Sequence, residues 1–109
     1  MMTKKIPKKS QVIIKPEDTG KEKYFLKLFV TGILPNSTLA IKNLNAICEQ
    51  YLKGRYDLEI IDIYQQPSVA ITEEIIAVPV LIKKFPLPEV RMIGDLSDID
   101  LVLNELDLK

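Results

Sequence analysis

The chain contains no histidine and no tryptophan, a single cysteine at Cys48, and only four glycines. Without histidine there is no Ser-His or Cys-His pair and no zinc site of the usual nitrogen-and-sulfur kind. One cysteine excludes an internal disulfide. A surplus of either charge is also missing, because 15 Lys and Arg balance 15 Asp and Glu. No overall field therefore draws the chain to nucleic acid or to anionic lipid. The longest nearly continuous apolar run, IIAVPVLI at Ile75–Ile82, falls far short of the roughly 20 residues that span a bilayer. The basic start MMTKKIPKKS lacks the apolar core of a signal peptide. These absences leave a cytoplasmic protein that works through specific protein contacts, with no nucleic acid, membrane, metal or cofactor among its expected partners.

What is present suits one globular domain: 109 residues, 47% hydrophobic and 28% charged, enough for a single core. Residues 1–23 hold seven lysines, two prolines and one glycine, with a small apolar island at Val12-Ile13-Ile14. They read as a mobile N-terminal arm ahead of a domain at residues 24–109. The arm's KKIPKK is a solvated tail, or alternatively an electrostatic contact to an acidic partner.

Tyr24–Val30, YFLKLFV, is apolar nearly throughout and predicts a strand covered on both faces. Thr31–Pro35 turns the chain, and Asn36 or Ser37 is placed to cap a helix. Leu44, Ile47, Cys48, Tyr51 and Leu52 follow at helical spacing, and Gly54 ends that helix. Asp57–Tyr64, DLEIIDIY, predicts a second strand, parallel to the first. After Pro67, SVAITEEIIAV mixes helical spacing at Val69, Ala70, Glu73, Ile76 and Ala77 with residues that also suit a strand; it is assigned as helix. Val80–Phe85 and Val90–Ile93 predict an antiparallel pair across Pro86-Leu-Pro88. Gly94-Asp95 turns the chain, Ser97 caps, and Ile99, Val102, Leu103 and Leu106 stripe a final helix. The fold class is α/β, βαβαββα, with a four-stranded mixed sheet.

That order resembles the thioredoxin fold. Val78-Pro79 stands before a strand, where thioredoxin-like proteins place a cis-proline facing the active-site loop. The loop FVTGILPNSTLAI at Phe29–Ile41 has Ile33 and Asn36 where the redox thiols would stand. A thiolate at the helix start and a second thiol to resolve the mixed disulfide are both missing. Cys48 sits in the apolar stripe of the helix and reads as a small buried hydrophobe. Glu73-Glu74, Asp98 and Asp100 read as helix-start and solubility features rather than paired catalytic carboxylates. Gly32 permits a positive φ or tight packing.

The finer resemblance is to the KaiB family. Tyr24, Leu26-Lys27-Leu28, Val30, Gly32, Pro35-Asn36-Ser37, Ala40, Lys42, Leu44-Asn45 and Ile47 carry it first. Lys53-Gly54, Tyr56, Ile61-Asp62, Pro67, Ala77, Pro79, Leu81, Pro86, Pro88, Arg91, Ile93–Ser97 and Leu106-Asp107-Leu108 continue it to the C-terminus. The resemblance implies a non-enzymatic protein that binds a KaiC-type hexameric ATPase and self-associates as a dimer or tetramer. It also implies two folds, one thioredoxin-like and the other a ground state with a rearranged C-terminal half. Ser68–Leu96 gives that pair modest local support, since neither helix nor strand wins on propensity alone. Tyr24, Lys27, Lys42, Lys83 and Arg91 are the implied partner-binding residues, of types enriched at binding hot spots in the case of Tyr and Arg. Gly32, Pro35, Asn36 and Ser37 shape the loop, and Pro79, Gly94 and Asp95 set backbone geometry and the balance between folds. Leu39, Glu74 and Val90 stand where cyanobacterial members tend to carry basic residues, and the acidic tail of those members is absent after Lys109. An oxidoreductase-like stress-response protein acting through Cys48 or a partner thiol is the alternative. A nucleic-acid or membrane-surface accessory using the lysine arm is the third reading.

Overall fold

The computed structural model describes residues 22–32 and 34–109. The expectation of an arm at residues 1–23 therefore falls almost wholly outside the described residues, as does Ile33. Seven elements follow in order: β1 (Tyr24–Val30), α1 (Pro35–Tyr51), β2 (Tyr56–Asp62), α2 (Pro67–Thr72), β3 (Val80–Phe85), β4 (Val90–Ile93) and α3 (Ile99–Glu105). They build one mixed sheet in the order β2-β1-β3-β4. β1 and β2 pair in parallel, while β1 with β3 and β3 with β4 are antiparallel. The expected element order, strand pairing and sheet size are all present, in the arrangement that keeps helix and strands in the C-terminal half rather than the rearranged alternative.

Alternation along the strands sorts the side chains onto two faces. On one, Tyr24, Leu26, Leu28, Val30, Leu81 and Met92 meet Ala40, Leu44, Ile47 and Cys48 of α1 and Val102, Leu103 and Leu106 at α3. This is the main core. On the other, Phe29, Ile61, Val80 and Ile82 form a smaller cluster against Val69 of α2, together with Ile63, Ile75 and Val78.

Several local expectations give way to tertiary context. β1 is covered on both faces only toward its C-terminal end, and Phe25 is half-exposed. β2 ends at Asp62 instead of Tyr64, because Gln65 and Gln66 N–H groups turn back to the Asp62 carbonyl. As an outer strand it is not apolar on both faces, and Ile60 is exposed. α2 is shorter than the segment assigned to it. It stops at Thr72, Glu74 takes a positive φ of 57°, and Ile76 lies in solvent. The β-branched content that blurred the reading there resists continued helix.

Both helix caps also move. α1 begins at Pro35 itself, whose fixed φ suits the first helical position, and the N-cap is Leu34 with no side-chain bond. Ser37 is inside the first turn and turns its hydroxyl back to accept from the Thr31 N–H at 3.1 Å. At α3 the cap is Asp98, whose carboxylate accepts from Leu101 N–H at 3.2 Å, while Ser97 donates its own N–H to Asp95 at 3.0 Å.

Candidate functional site

Two places gather the residues singled out in the sequence. The first is the loop between β1 and α1. Gly32 adopts φ 49°, and its N–H donates to the Asp62 carboxylate at 3.1 Å, tying the loop to the end of β2. The Val78–Pro79 bond is cis, as the resemblance implied. Pro79 faces Thr31, Leu34, Pro35, Asn36 and Ser37 across a cavity of about 300 Å³. The scaffold of a redox site is therefore present, with asparagine and no thiol in the described part of the loop.

Cys48 does not substitute for the missing thiols. It is fully buried in the α1 face of the core, and burial, with Glu49 adding to it, pushes its thiol up to about 12. A thiol so far above neutrality supplies almost no thiolate, the species that attacks disulfides.

The second place lies on the other face of the sheet, where α2 runs out. Glu73 turns its carboxylate inward and is approached by Lys84 at 3.1 Å, Lys27 at 3.3 Å and Arg91 at 3.9 Å. Lys84 and Arg91 also reach Glu89, at 3.3 and 3.5 Å. Arg91 further donates to the backbone carbonyls of Glu73 and Glu74, at 2.7 and 3.4 Å. The hydrogen bond from Lys84, joined by that from Lys27, outweighs burial and holds the Glu73 carboxyl below the ordinary glutamate range. The same bond raises Lys84 above the usual lysine value. The cluster spans three strands and α2, so it fixes the helix to the sheet.

The five implied binding residues separate in space. Lys42 and Arg91 are exposed and Lys27 is half-buried. Tyr24 is buried, with its hydroxyl donating to the Leu106 carbonyl at 2.6 Å and the Arg55 guanidinium 5.5 Å from its ring. Lys83 departs from the expectation outright. It is 1% exposed, on the main-core side of β3 between its register partners Leu26 and Val90, and offers no surface in this fold. Of the three positions with altered charge, Leu39 and Glu74 are exposed while Val90 packs against the core. Asp95 accepts from the Asn43 side chain through its backbone carbonyl at 2.8 Å and from the Ser97 N–H through its carboxylate, and Gly94 takes φ 124°. Sequence reasoning missed the role of Glu73, whose partners come from β1, β3 and β4. The only local sign was an acid followed at a distance by Lys83-Lys84 and Arg91.

The KaiB domain model matches residues 27–108. The chain belongs to the KaiB family. It is 48% identical over 88 residues to a circadian clock oscillator protein KaiB of a Cyanothece species, a match covering 81% of this chain and 84% of that one. The KaiB of a Synechococcus elongatus strain is likewise 48% identical, over 78% of this chain and 83% of its own length. Among solved structures, the N-terminal domain of Synechococcus elongatus SasA superposes with a TM-score of 0.64 at 22% identity, over 81% of this chain and 87% of that one. Mitochondrial thioredoxin 3 of Saccharomyces cerevisiae does so with 0.64 at 16%, over 81% of each. At such identity these structures speak for the fold alone, which is thioredoxin-like. This KaiB-family chain thus keeps the thioredoxin loop and cis-proline geometry with its one cysteine sealed in the core. No helix among its described residues is long and apolar enough to cross a membrane.

Proposed function

We propose that this chain is a non-enzymatic protein-binding module of a clock or timing system, and that its first partner is a KaiC-type hexameric ATPase. The observation that carries this reading is the pairing of family membership with a redox loop emptied of accessible thiol. The curated relatives are circadian clock oscillator proteins, and a loop without an accessible thiol favours contact over thiol chemistry as its use. Lys42 and Arg91, both exposed, and the half-buried Lys27 supply its cationic contacts. Tyr24 and Lys83, both buried in this fold, supply no surface contact to it. Self-association as a dimer or tetramer belongs to the same proposal, as does a second fold of the C-terminal half.

The test is a pull-down against the KaiC-type ATPase of the source organism, with and without nucleotide, over long incubation and a range of salt. Retention that Lys42→Glu or Arg91→Glu weakens is the expected result. Failure to bind under every condition would leave a family label without the function. The alternative, an oxidoreductase-like stress-response protein, would have to act through Cys48, the one cysteine of the sequence, or through a partner's thiol. Disulfide reductase activity that disappears in Cys48→Ser would establish it, and the burial of Cys48 predicts none.

A further inference from the structure

α1 starts without a side-chain cap. Its N-cap residue is Leu34, Pro35 takes the first helical position, and the first turn holds no acidic residue. A helix start carries partial positive charge and N–H groups that lack intrahelical partners. The Thr38 N–H donates to the Leu34 carbonyl at 3.0 Å, whereas the Asn36 N–H has no partner among the described residues. In front of this uncapped end of a 17-residue helix lies the cavity of about 300 Å³ whose far wall is Val78 and Pro79.

Thr31 and Ser37 bring two hydroxyls to the same cavity. Thr31 is only 6% exposed, and among the described residues its hydroxyl is the one buried side-chain polar atom without a hydrogen-bond partner. Leaving such a group unpaired is costly, so it marks a place where a partner belongs. The Ser37 oxygen accepts from the Thr31 N–H at 3.1 Å, which leaves its own proton to donate. Nearby acceptors are already taken: the Thr31 carbonyl by the Leu34 N–H, the Leu34 carbonyl by the Thr38 N–H and the Pro79 carbonyl by the Gly94 N–H. Donors are left over, and a ligand that fits must supply acceptors. The rest of the wall, Leu34, Pro35, Val78 and Pro79, is apolar, and no lysine or arginine lines it. Asp62, whose carboxylate holds the Gly32 N–H at 3.1 Å, repels an anion that carries two charges.

We propose that this cavity binds a free, short aliphatic monocarboxylate. The carboxylate accepts from the Asn36 N–H and the Ser37 hydroxyl at the positive end of α1, and Thr31 rotates its hydroxyl toward it and gains the partner it lacks. The aliphatic body lies between Leu34, Pro35, Val78 and Pro79. One charge at a helix start with no cation beside it gives weak binding, with a Kd on the order of 1–10 mM. This assignment stands apart from the choice of ATPase partner, since neither Lys42 nor Arg91 lines the cavity.

Titration of the full-length protein with sodium isovalerate tests it, at ionic strength held constant with sodium chloride and with the amide NMR signals of Thr31, Gly32, Asn36 and Ser37 as the readout. Saturable shifts of these signals are expected, with much weaker responses to isovaleramide, which has the same body without the charge, and to inorganic phosphate. Thr31→Val should weaken isovalerate binding at least about fivefold, the loss of one hydrogen bond to a charged group, and Thr31→Ser should retain it. The valine also removes an unpaired buried hydroxyl, so its urea midpoint should equal or exceed that of wild type, which separates lost binding from lost fold. N-Acetylleucine, with a similar branched body on a peptide unit, should bind more weakly than isovalerate. Absence of saturable shifts up to about 50 mM, well above the expected Kd, would overturn the proposal. So would an equal response to isovaleramide or phosphate, or wild-type affinity in Thr31→Val. Tighter binding of N-acetylleucine would overturn the assignment to a free acid in favour of a peptide end.

Discussion

The two faces of the sheet are held by different forces. Under α1 and α3 the contact is mainly apolar, with Leu28, Ala40, Leu44, Cys48 and Leu106 fully excluded from water and Lys83 buried beside them. Under α2 only Phe29, Ile61, Val80 and Ile82 are buried, and no residue of the helix itself is. A six-residue helix is too short to be stable by itself, so α2 relies on its attachments. Those attachments are largely polar, centred on Glu73 and on the Arg91 bonds to two backbone carbonyls. The first face answers to packing and the second to charge.

Truncation on the packed face should have the largest effect. Leu44→Ala leaves a cavity among fully buried neighbours and is expected to cost about 2–5 kcal/mol. Urea unfolding should show the loss as a lower midpoint with an unchanged slope. On the charged face, Glu73→Gln removes the carboxylate that three cations share and leaves Glu89 as the acid facing Lys84 and Arg91. Its side chain is 14% exposed, but its partners are 30–37% exposed. Solvent screening therefore limits the global cost to about 1 kcal/mol. The local effect should be greater: amides of α2 and Glu73–Val78 should exchange faster while those of α1 stay protected. Equal loss of protection in both helices would show that the faces are not independent.

Acid should separate the faces without mutation. Glu73 faces Lys27, Lys84 and Arg91, with Glu89 beside them, and its folded carboxyl lies below the ordinary value. A depressed carboxyl adds stability above its unfolded pKa, and that stability is lost as pH falls through the folded value. The cations remain charged throughout this range. Protection of α2 should thus hold at neutrality and decline below about pH 4, near and beneath the free glutamate value. Glu73→Gln should remove that component of the pH dependence.

How far the sequence disclosed this arrangement follows from the range of the forces. Strands β3 and β4 have the residue limits that their apolar runs and flanking prolines imply, and β1 does too. Cys48 lies where the α1 stripe puts it. What stayed hidden depended on distant chain segments. Lys83 looks like a surface cation until β1 and β4 close around it. Ser37 looks like a cap until the Thr31 N–H claims its hydroxyl. Glu73 and Glu74 are neighbours of one composition, yet Glu73 turns into the cation cluster and Glu74 out to solvent. The reduced loop was legible because its lesson lay in missing residue types, which no tertiary contact can restore.

The smallest expected effect sharpens the same division at α3. Ser97 and Asp98 are both suitable caps by type, but only the Asp98 carboxylate accepts an N–H of the first turn. Asp98→Ala should cost about 1 kcal/mol, Asp98→Asn much less because the amide oxygen can accept the same bond. Ser97→Ala should cost less than Asp98→Ala, since the Ser97 bond to Asp95 uses its backbone N–H, which alanine retains. α3 belongs to the packed face through Val102, Leu103 and Leu106. Loss of the cap should therefore lower the common unfolding midpoint of the main core instead of freeing α3 alone, the reverse of what Glu73→Gln does to α2. Exchange confined to α3 in Asp98→Ala would place that helix with α2 among the parts that open locally.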